Sequence, residues 1–109
     1  MLQARPRVLA VPDPRASSSD LHDRFLPLYD EQHIVIDFTD IDTIDPVFLS
    51  ELAQLRQHRS DRGLLLGRLV IRSRNIRNAF SAIGFERHWP IYRTREEAIA
   101  SFSGPPIYA

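Results

Sequence analysis

The chain has 109 residues, of which 43% are hydrophobic and 26% are charged, and this composition fits one folded domain rather than a disordered or coiled-coil protein. The lack of cysteine excludes disulfides, iron–sulfur clusters, thiolate zinc sites and a cysteine nucleophile. No apolar run approaches the roughly 18 residues of a membrane-spanning helix, and no signal-peptide core is present. We therefore expect a cytoplasmic protein that does not insert into a membrane.

Strands and helices alternate in the predicted secondary structure. Four short apolar runs predict strands, at residues 7–11, 33–38, 68–72 and 90–92. Capping residues predict helices that begin at Ser18 or Ser19, at Pro46, after Ser73 and after Thr94. This order predicts a small α/β domain with a mainly parallel sheet of four to five strands and about four helices.

The longest predicted helix covers residues 46–62. Asp45 is its N-cap, Pro46 is its first residue and Gly63 supplies a left-handed C-cap. The spacing places Leu49, Leu52 and Ala53 on one face, with Arg56 as a further candidate for that face and with Phe48 and Leu55 on the flank.

Opposite charges are concentrated in the two halves of the neutral chain. Residues 1–55 carry 4 basic and 10 acidic side chains, whereas residues 56–109 carry 10 basic and 4 acidic ones. Every one of the 14 basic residues is arginine. Either the two halves pair within the fold, or the bipolar surface binds a charged partner.

Residues with catalytic or ligand-binding chemistry form no complete motif. The four histidines lack metal-ligand spacing, and Asp37, Asp40, Asp42 and Asp45 suit a turn and a helix cap. No phosphate-binding glycine loop or nucleophile elbow is present. The basic run from Arg68 to Arg77 has few aromatic neighbours, so a nucleic-acid partner is not favoured. We expect no metal, no cofactor and no enzymatic activity.

Three segments follow one another in an order that resembles the STAS domain, the module of bacterial anti-sigma-factor antagonists and of sulfate-transporter tails. They are IVIDFTDIDTIDPVFLSELAQLRQHRSDRG, RLVIRSRNIRNAFSAIGF and WPIYRTREEAIASF. The resemblance is strongest over residues 33–102. It implies a single STAS-like domain over residues 1–109, with residues 103–109 as a loose tail, and a regulatory role exercised through protein contacts.

One departure from the family pattern concerns phosphorylation. In phosphorylatable STAS domains a serine directly follows the aspartate at the helix start, and here Pro46 occupies that position and has no hydroxyl. The resemblance therefore implies a module that phosphorylation at this position does not switch. Ser50 and Thr43 are the alternative acceptors nearby.

The resemblance also implies where a partner binds. The predicted site is the helix start and the turn before it, and its residues are Thr43, Asp45, Pro46, Val47, Phe48 and Ser50. Val47 and Phe48 are expected to be exposed apolar anchors. The implied partner is an anti-sigma factor that is a serine kinase of the histidine-kinase-like ATPase type.

Two alternatives remain at this stage. The chain is an accessory STAS subunit of a membrane transport ATPase, or it is a structural copy that forms a homodimer. The homodimer would bury Phe48 in a self-interface or pair the strand at residues 7–11 across a sheet edge.

Overall fold

Strand β2 (Ile34–Asp37) lies at the centre of the sheet and is buried at every position, as its uninterrupted apolar run predicts. The computed structural model describes residues 6–11, 19–41, 44, 46–64, 67–85 and 89–103. Within them, β1 (Arg7–Ala10) and β3 (Arg68–Val70) pair with β2, and β4 (Ile91–Tyr92) pairs with β3. All three pairings are parallel, which confirms the predicted α/β architecture.

The helices lie on both faces of this sheet. They are α1 (Ser19–Phe25), α2 (Pro46–Asp61), α3 (Arg74–Ala82) and α4 (Arg95–Ser103). Side chains of α1, α2 and α3 share the larger core cluster, whereas Ala98 of α4 packs with Val35 and Val70 in a second cluster. Right-handed crossovers between successive neighbouring strands place α1 to α3 on one face in this way.

Local capping signals set the helix ends as predicted. The Ser73 hydroxyl accepts a hydrogen bond from the Ile76 amide at 3.3 Å, and the Thr94 hydroxyl accepts one from the Glu97 amide at 3.1 Å. Gly63 ends α2 with a φ of +70°, a conformation that L side chains rarely adopt. Helix α1 stops at Phe25, ahead of a 3-10 turn that contains Pro27.

The buried face of α2 differs from the predicted one. Its fully buried residues are Phe48, Leu52, Leu55 and Arg59, whereas Ala53 is exposed and Leu49 is only partly buried. These four positions follow the helical spacing of four, three and four residues. The predicted face was wrong because it was centred on Leu49 and Ala53 and left Phe48 and Leu55 on its flank, whereas these two residues face the core.

An aromatic stack holds the C-terminal end of α4 against the N-terminal end of β2. The His33 ring lies parallel to the Phe102 ring with centroids 4.7 Å apart, and the Arg68 guanidinium lies 4.3 Å from the Phe102 centroid. Within the described residues, Nδ1 of His33 is enclosed and has no hydrogen-bond partner. The stack therefore favours a neutral His33 imidazole.

The pKa of His33 predicts a loss of stability in mild acid. Burial, followed by the charges of Arg68 and Arg59, lowers this pKa below its usual 6.5. The unfolded chain therefore takes up the proton at a higher pH than the folded chain, and His33 lowers the free energy of unfolding as the pH falls below about 6.5. Urea unfolding is measured at neutral pH and at a pH about one unit below the usual histidine pKa. The free energy of unfolding should drop less between these two pH values in His33→Phe, which keeps the stacked ring, than in the unmodified chain. Equal drops in both proteins would contradict this assignment.

No described helix is long and apolar enough to cross a membrane.

Candidate partner-binding site at the carboxyl edge of the sheet

The carboxyl ends of the four parallel strands meet at one edge of the sheet, which is where ligands bind in many open α/β folds. Helices α2, α3 and α4 each follow a strand that ends there. This carboxyl edge therefore brings together the predicted partner site and segments that are distant in the sequence.

Three of the first five residues of α2 are open to solvent. Pro46 and Ser50 are exposed, and Val47 is 44% exposed, which is high for an apolar side chain. We call these three residues the α2-start surface. The predicted site residues Thr43 and Asp45 lie outside the described residues.

Phe48 does not belong to this surface. It is only 3% exposed, and its ring lies 5.9 Å from that of Phe25 and 5.7 Å from that of Phe38. It falls on the core-facing side of α2 one turn before Leu52. The prediction of Phe48 as an exposed anchor was therefore wrong, and Phe48 has almost no free surface to offer a second copy.

Asp37, the first of the clustered aspartates, is a structural link between β2 and α4. Its carboxylate accepts hydrogen bonds from the Thr39 amide at 2.8 Å, from the Thr39 hydroxyl and from Nε of Arg95 at 2.9 Å. Nη2 of Arg95 forms an ion pair with the same carboxylate at 2.9 Å. Burial raises its pKa, but the bonds from Thr39 and Arg95 outweigh burial and the pKa is lowered overall. Asp37 is therefore a carboxylate at neutral pH, and its negative charge is matched by Arg95.

Four arginines lie near this link, and none of them has a salt-bridge partner among the described residues. Arg72, Arg74, Arg77 and Arg93, together with Thr94, line a cavity of about 550 Å³ at the carboxyl edge. The basic run in the sequence contained the first three, but its Arg68 lies at the other end of β3 against Phe102. Arg93 was not singled out in the sequence, although its place directly after β4 is the available signal.

Comparisons of the sequence with known proteins find no match. No model of a known protein family matches the chain, and no curated protein matches it.

Comparisons of the structure find close matches over most of the chain. An anti-sigma-factor antagonist (STAS) domain protein from Planctomyces limnophilus is 15% identical, with 95% of this chain and 96% of that chain covered at a TM-score of 0.80. A candidate anti-sigma factor antagonist from Thermotoga maritima is 17% identical, with coverage of 88% and 86% at a TM-score of 0.73. A sulfate transporter family protein from Wolinella succinogenes is 15% identical, with coverage of 89% and 84% at a TM-score of 0.74. By its fold, this chain is a STAS-like domain.

Proposed function

We propose that this chain is a non-enzymatic regulatory module of the anti-sigma-factor-antagonist type, and that its protein partner binds the α2-start surface. The observation that carries the proposal is the exposed Val47 beside Pro46 and Ser50 at the first turn of α2 in a STAS-like fold. An exposed apolar side chain with a polar neighbour suits the centre of a small protein interface. The proposed partner is an anti-sigma factor that is also a serine kinase.

Pro46 makes this proposed interaction constitutive. A phosphate at the helix start would add about two negative charges to the contact surface, and proline offers no oxygen to carry it. Proline is also well suited to the first position of a helix, so the fold keeps its helix start without the serine. The proposed module therefore stays competent for binding whatever the activity of the kinase.

The binding half of the proposal is tested with matched surface variants. Val47→Asp should weaken binding to the cognate anti-sigma factor of the same organism by about tenfold or more, because it places a charge in the apolar contact. Ile83→Asp is the control, because Ile83 is 51% exposed and lies directly after the C-terminal end of a different helix, α3. It should change the dissociation constant by less than about twofold. The proposed surface is wrong if both variants weaken binding equally or if no such anti-sigma factor binds the chain.

The switching half is tested with the kinase and labelled ATP. The unmodified chain should take up no phosphate at the α2-start surface, whereas Pro46→Ser should become labelled because it restores an acceptor hydroxyl at the helix start. Removing Ser50 as well, in Pro46→Ser/Ser50→Ala, should leave that label in place. Label on Ser50 or Thr43 of the unmodified chain would contradict the constitutive interaction.

A second candidate is an accessory subunit of a membrane transport ATPase. The likeness of this fold to a sulfate transporter family protein supports a link to membrane transport, and the ATPase is part of the proposal alone. In that case the tagged chain should purify with a transport ATPase, and Val47→Asp but not Ile83→Asp should reduce the amount recovered. Recovery of a self-associated chain alone would instead favour the dimerising copy.

A further inference from the structure

The outer side of strand β4 is an open edge of the sheet. Among the described residues, β4 pairs with β3 alone. The Leu69 amide donates to the Pro90 carbonyl at 2.9 Å, and the Ile71 amide donates to the Tyr92 carbonyl at 2.9 Å. Because the backbone groups of successive strand residues point to opposite sides, the N–H and C=O of Ile91 point away from β3. Ile91 therefore offers a donor and an acceptor that no described strand takes up.

A groove of about 430 Å³ runs beside this edge. It is lined by the consecutive residues Ile91, Tyr92 and Arg93 and by Arg77 of α3. Ile91 packs against the larger core cluster and Tyr92 against the second cluster, so their side chains lie on opposite faces of the sheet. A groove that contacts both residues must pass along the backbone between the two faces. It therefore occupies the position that an added strand would take.

The charges around this groove favour an acidic occupant. The cavity of about 550 Å³ described above shares Arg77 and Arg93 with the groove, and Arg72, Arg74 and Thr94 complete its lining. None of these four arginines forms an ion pair with a carboxylate in the described part of the chain. Because like charges that lie close together repel each other, negative charge is attracted to this place. The groove and the cavity together therefore suit a ligand with several carboxylates.

Arg77 joins the groove to the cavity, because it lines both. Its Nη2 donates to the Ile71 carbonyl at a long distance of 3.4 Å, which holds the side chain beside the end of β3. Its Nε has no hydrogen-bond partner among the described residues. A carboxylate bound at this junction supplies the strong, charge-assisted acceptors that the guanidinium lacks.

We propose that an extended acidic segment of a protein partner binds here by adding a strand to β4. Its backbone bonds to the N–H and C=O of Ile91, and its carboxylates pair with Arg77 and Arg93. In strand addition the main-chain hydrogen bonds give affinity and the side chains give specificity. A small anion uses the arginines but not the backbone of Ile91, so the open edge favours a peptide. This site is separate from the α2-start surface, and the inference does not depend on the partner proposed there.

The experiment titrates three matched peptides into the isotope-labelled full chain. The acidic probe alternates glutamate with valine over about six residues, the usual length of a strand. The neutral probe has glutamine in place of glutamate, and the blocked probe is the acidic one with N-methylated backbone amides. The acidic probe should bind about tenfold or more tightly than either of the others, because they lack the charges or the backbone donors. Hydrogen exchange of the Ile91 amide should slow by about tenfold in the complex.

Matched variants separate this site from general charge attraction. Arg74→Gln/Arg93→Gln removes two exposed arginines of the cavity and should weaken binding of the acidic probe by about tenfold or more. The same double variant should leave the weak binding of the neutral probe within about twofold, because that probe makes no ion pairs. Arg62→Gln removes an exposed arginine just past the C-terminal end of α2 and should leave the affinity for the acidic probe within about twofold.

Several outcomes would overturn the inference. Equal affinity for the acidic and blocked probes, or an Ile91 amide that exchanges at its original rate in the complex, would mean that no strand is added. Equal weakening in Arg62→Gln would reduce the effect to general charge attraction. Glutarate, a free dicarboxylate, binding as tightly as the acidic probe would assign the arginines to a small acid. Absence of chemical-shift changes up to about 10 mM of the acidic probe, an affinity too weak for a binding site, would also contradict the proposal.

Discussion

Phe48→Ala should lower the free energy of unfolding by about 3–5 kcal/mol. The side chain is 3% exposed and contacts the rings of Phe25 and Phe38, so its removal loses buried apolar area and leaves a cavity between α1, α2 and the sheet. Small domains have total stabilities of about 5–15 kcal/mol, so this loss is a large fraction of the whole. Urea unfolding followed by the fluorescence of the buried Trp89 gives the measurement.

The neighbouring residue is the matched control for Phe48. Val47→Ala removes an apolar group from an exposed position of the same helix turn and should change the free energy of unfolding by no more than about 0.5 kcal/mol. This comparison also shows why the partner test above uses Val47 and not Phe48. Weaker binding by a Phe48 variant would reflect unfolding and not the loss of a surface contact. If both alanine variants were equally mild, Phe48 would be a surface residue and the packing described here would be wrong.

The elements that the sequence predicted correctly are those with local causes. The run Ile34, Val35 and Ile36 predicts a strand covered on both faces, and β2 has that burial. The helix caps at Ser73 and Thr94 are hydrogen bonds between residues three positions apart, so the local residue types are enough to predict them. The parallel order of the strands then follows from the alternation of strands and helices.

The candidate site was harder to predict because apolar residues occur on more than one side of α2. The resemblance placed Phe48 on the partner surface and the helical pattern placed it on the flank, whereas Phe48 is buried in line with Leu52 and Leu55. Packing against the sheet decides which side of α2 faces water. The resemblance is therefore a guide to which segment contacts a partner, and the burial of each residue decides which side chains of that segment can do so.

The arginine-lined cavity could not be predicted because its members come from distant parts of the chain. Arg74 and Arg93 are 19 positions apart in the numbering, and only the pairing of β3 with β4 brings the residues after the two strands together. In the sequence, three of its arginines belonged to a basic run that also contained Arg68. The fold separates that run between the two ends of β3, so three of its arginines line the cavity whereas Arg68 lies over the ring of Phe102.

Arg59→Met should lower the free energy of unfolding by about 2–4 kcal/mol, although it replaces a charged side chain by an apolar one of similar length. Arg59 is 1% exposed, and its guanidinium donates to the backbone carbonyls of Leu28 at 2.9 Å, Glu31 at 2.5 Å and Gln32 at 3.1 Å. These carbonyls lie in the connection between α1 and β2, so one side chain of α2 fixes the path of that connection. Burial lowers the pKa of Arg59, and the carboxylates of Asp30 and Glu31 oppose this effect. The group nevertheless stays charged, because the arginine pKa is far above neutral pH. Methionine fills the space but leaves the carbonyls without their donors, and each buried acceptor without a donor costs about 1–3 kcal/mol unless water reaches it.

Two further variants separate the hydrogen bonds of Arg59 from its charge and its stem. Arg59→Lys keeps the charge but not the planar fork that reaches three carbonyls, so its loss of stability should lie between those of the unmodified chain and Arg59→Met. Arg56→Met, one turn earlier on α2, removes a half-buried arginine with no hydrogen-bond or ion-pair partner in the described part of the chain, and should cost less than about 1 kcal/mol. Equal losses for Arg56→Met and Arg59→Met would mean that the arginine stems, rather than the three carbonyl contacts, stabilise this region. A large loss only at Arg59 would mean that side-chain-to-backbone hydrogen bonds hold the α1–β2 connection. A pattern of apolar residues cannot predict such bonds, because any residue type supplies the backbone carbonyl that accepts them.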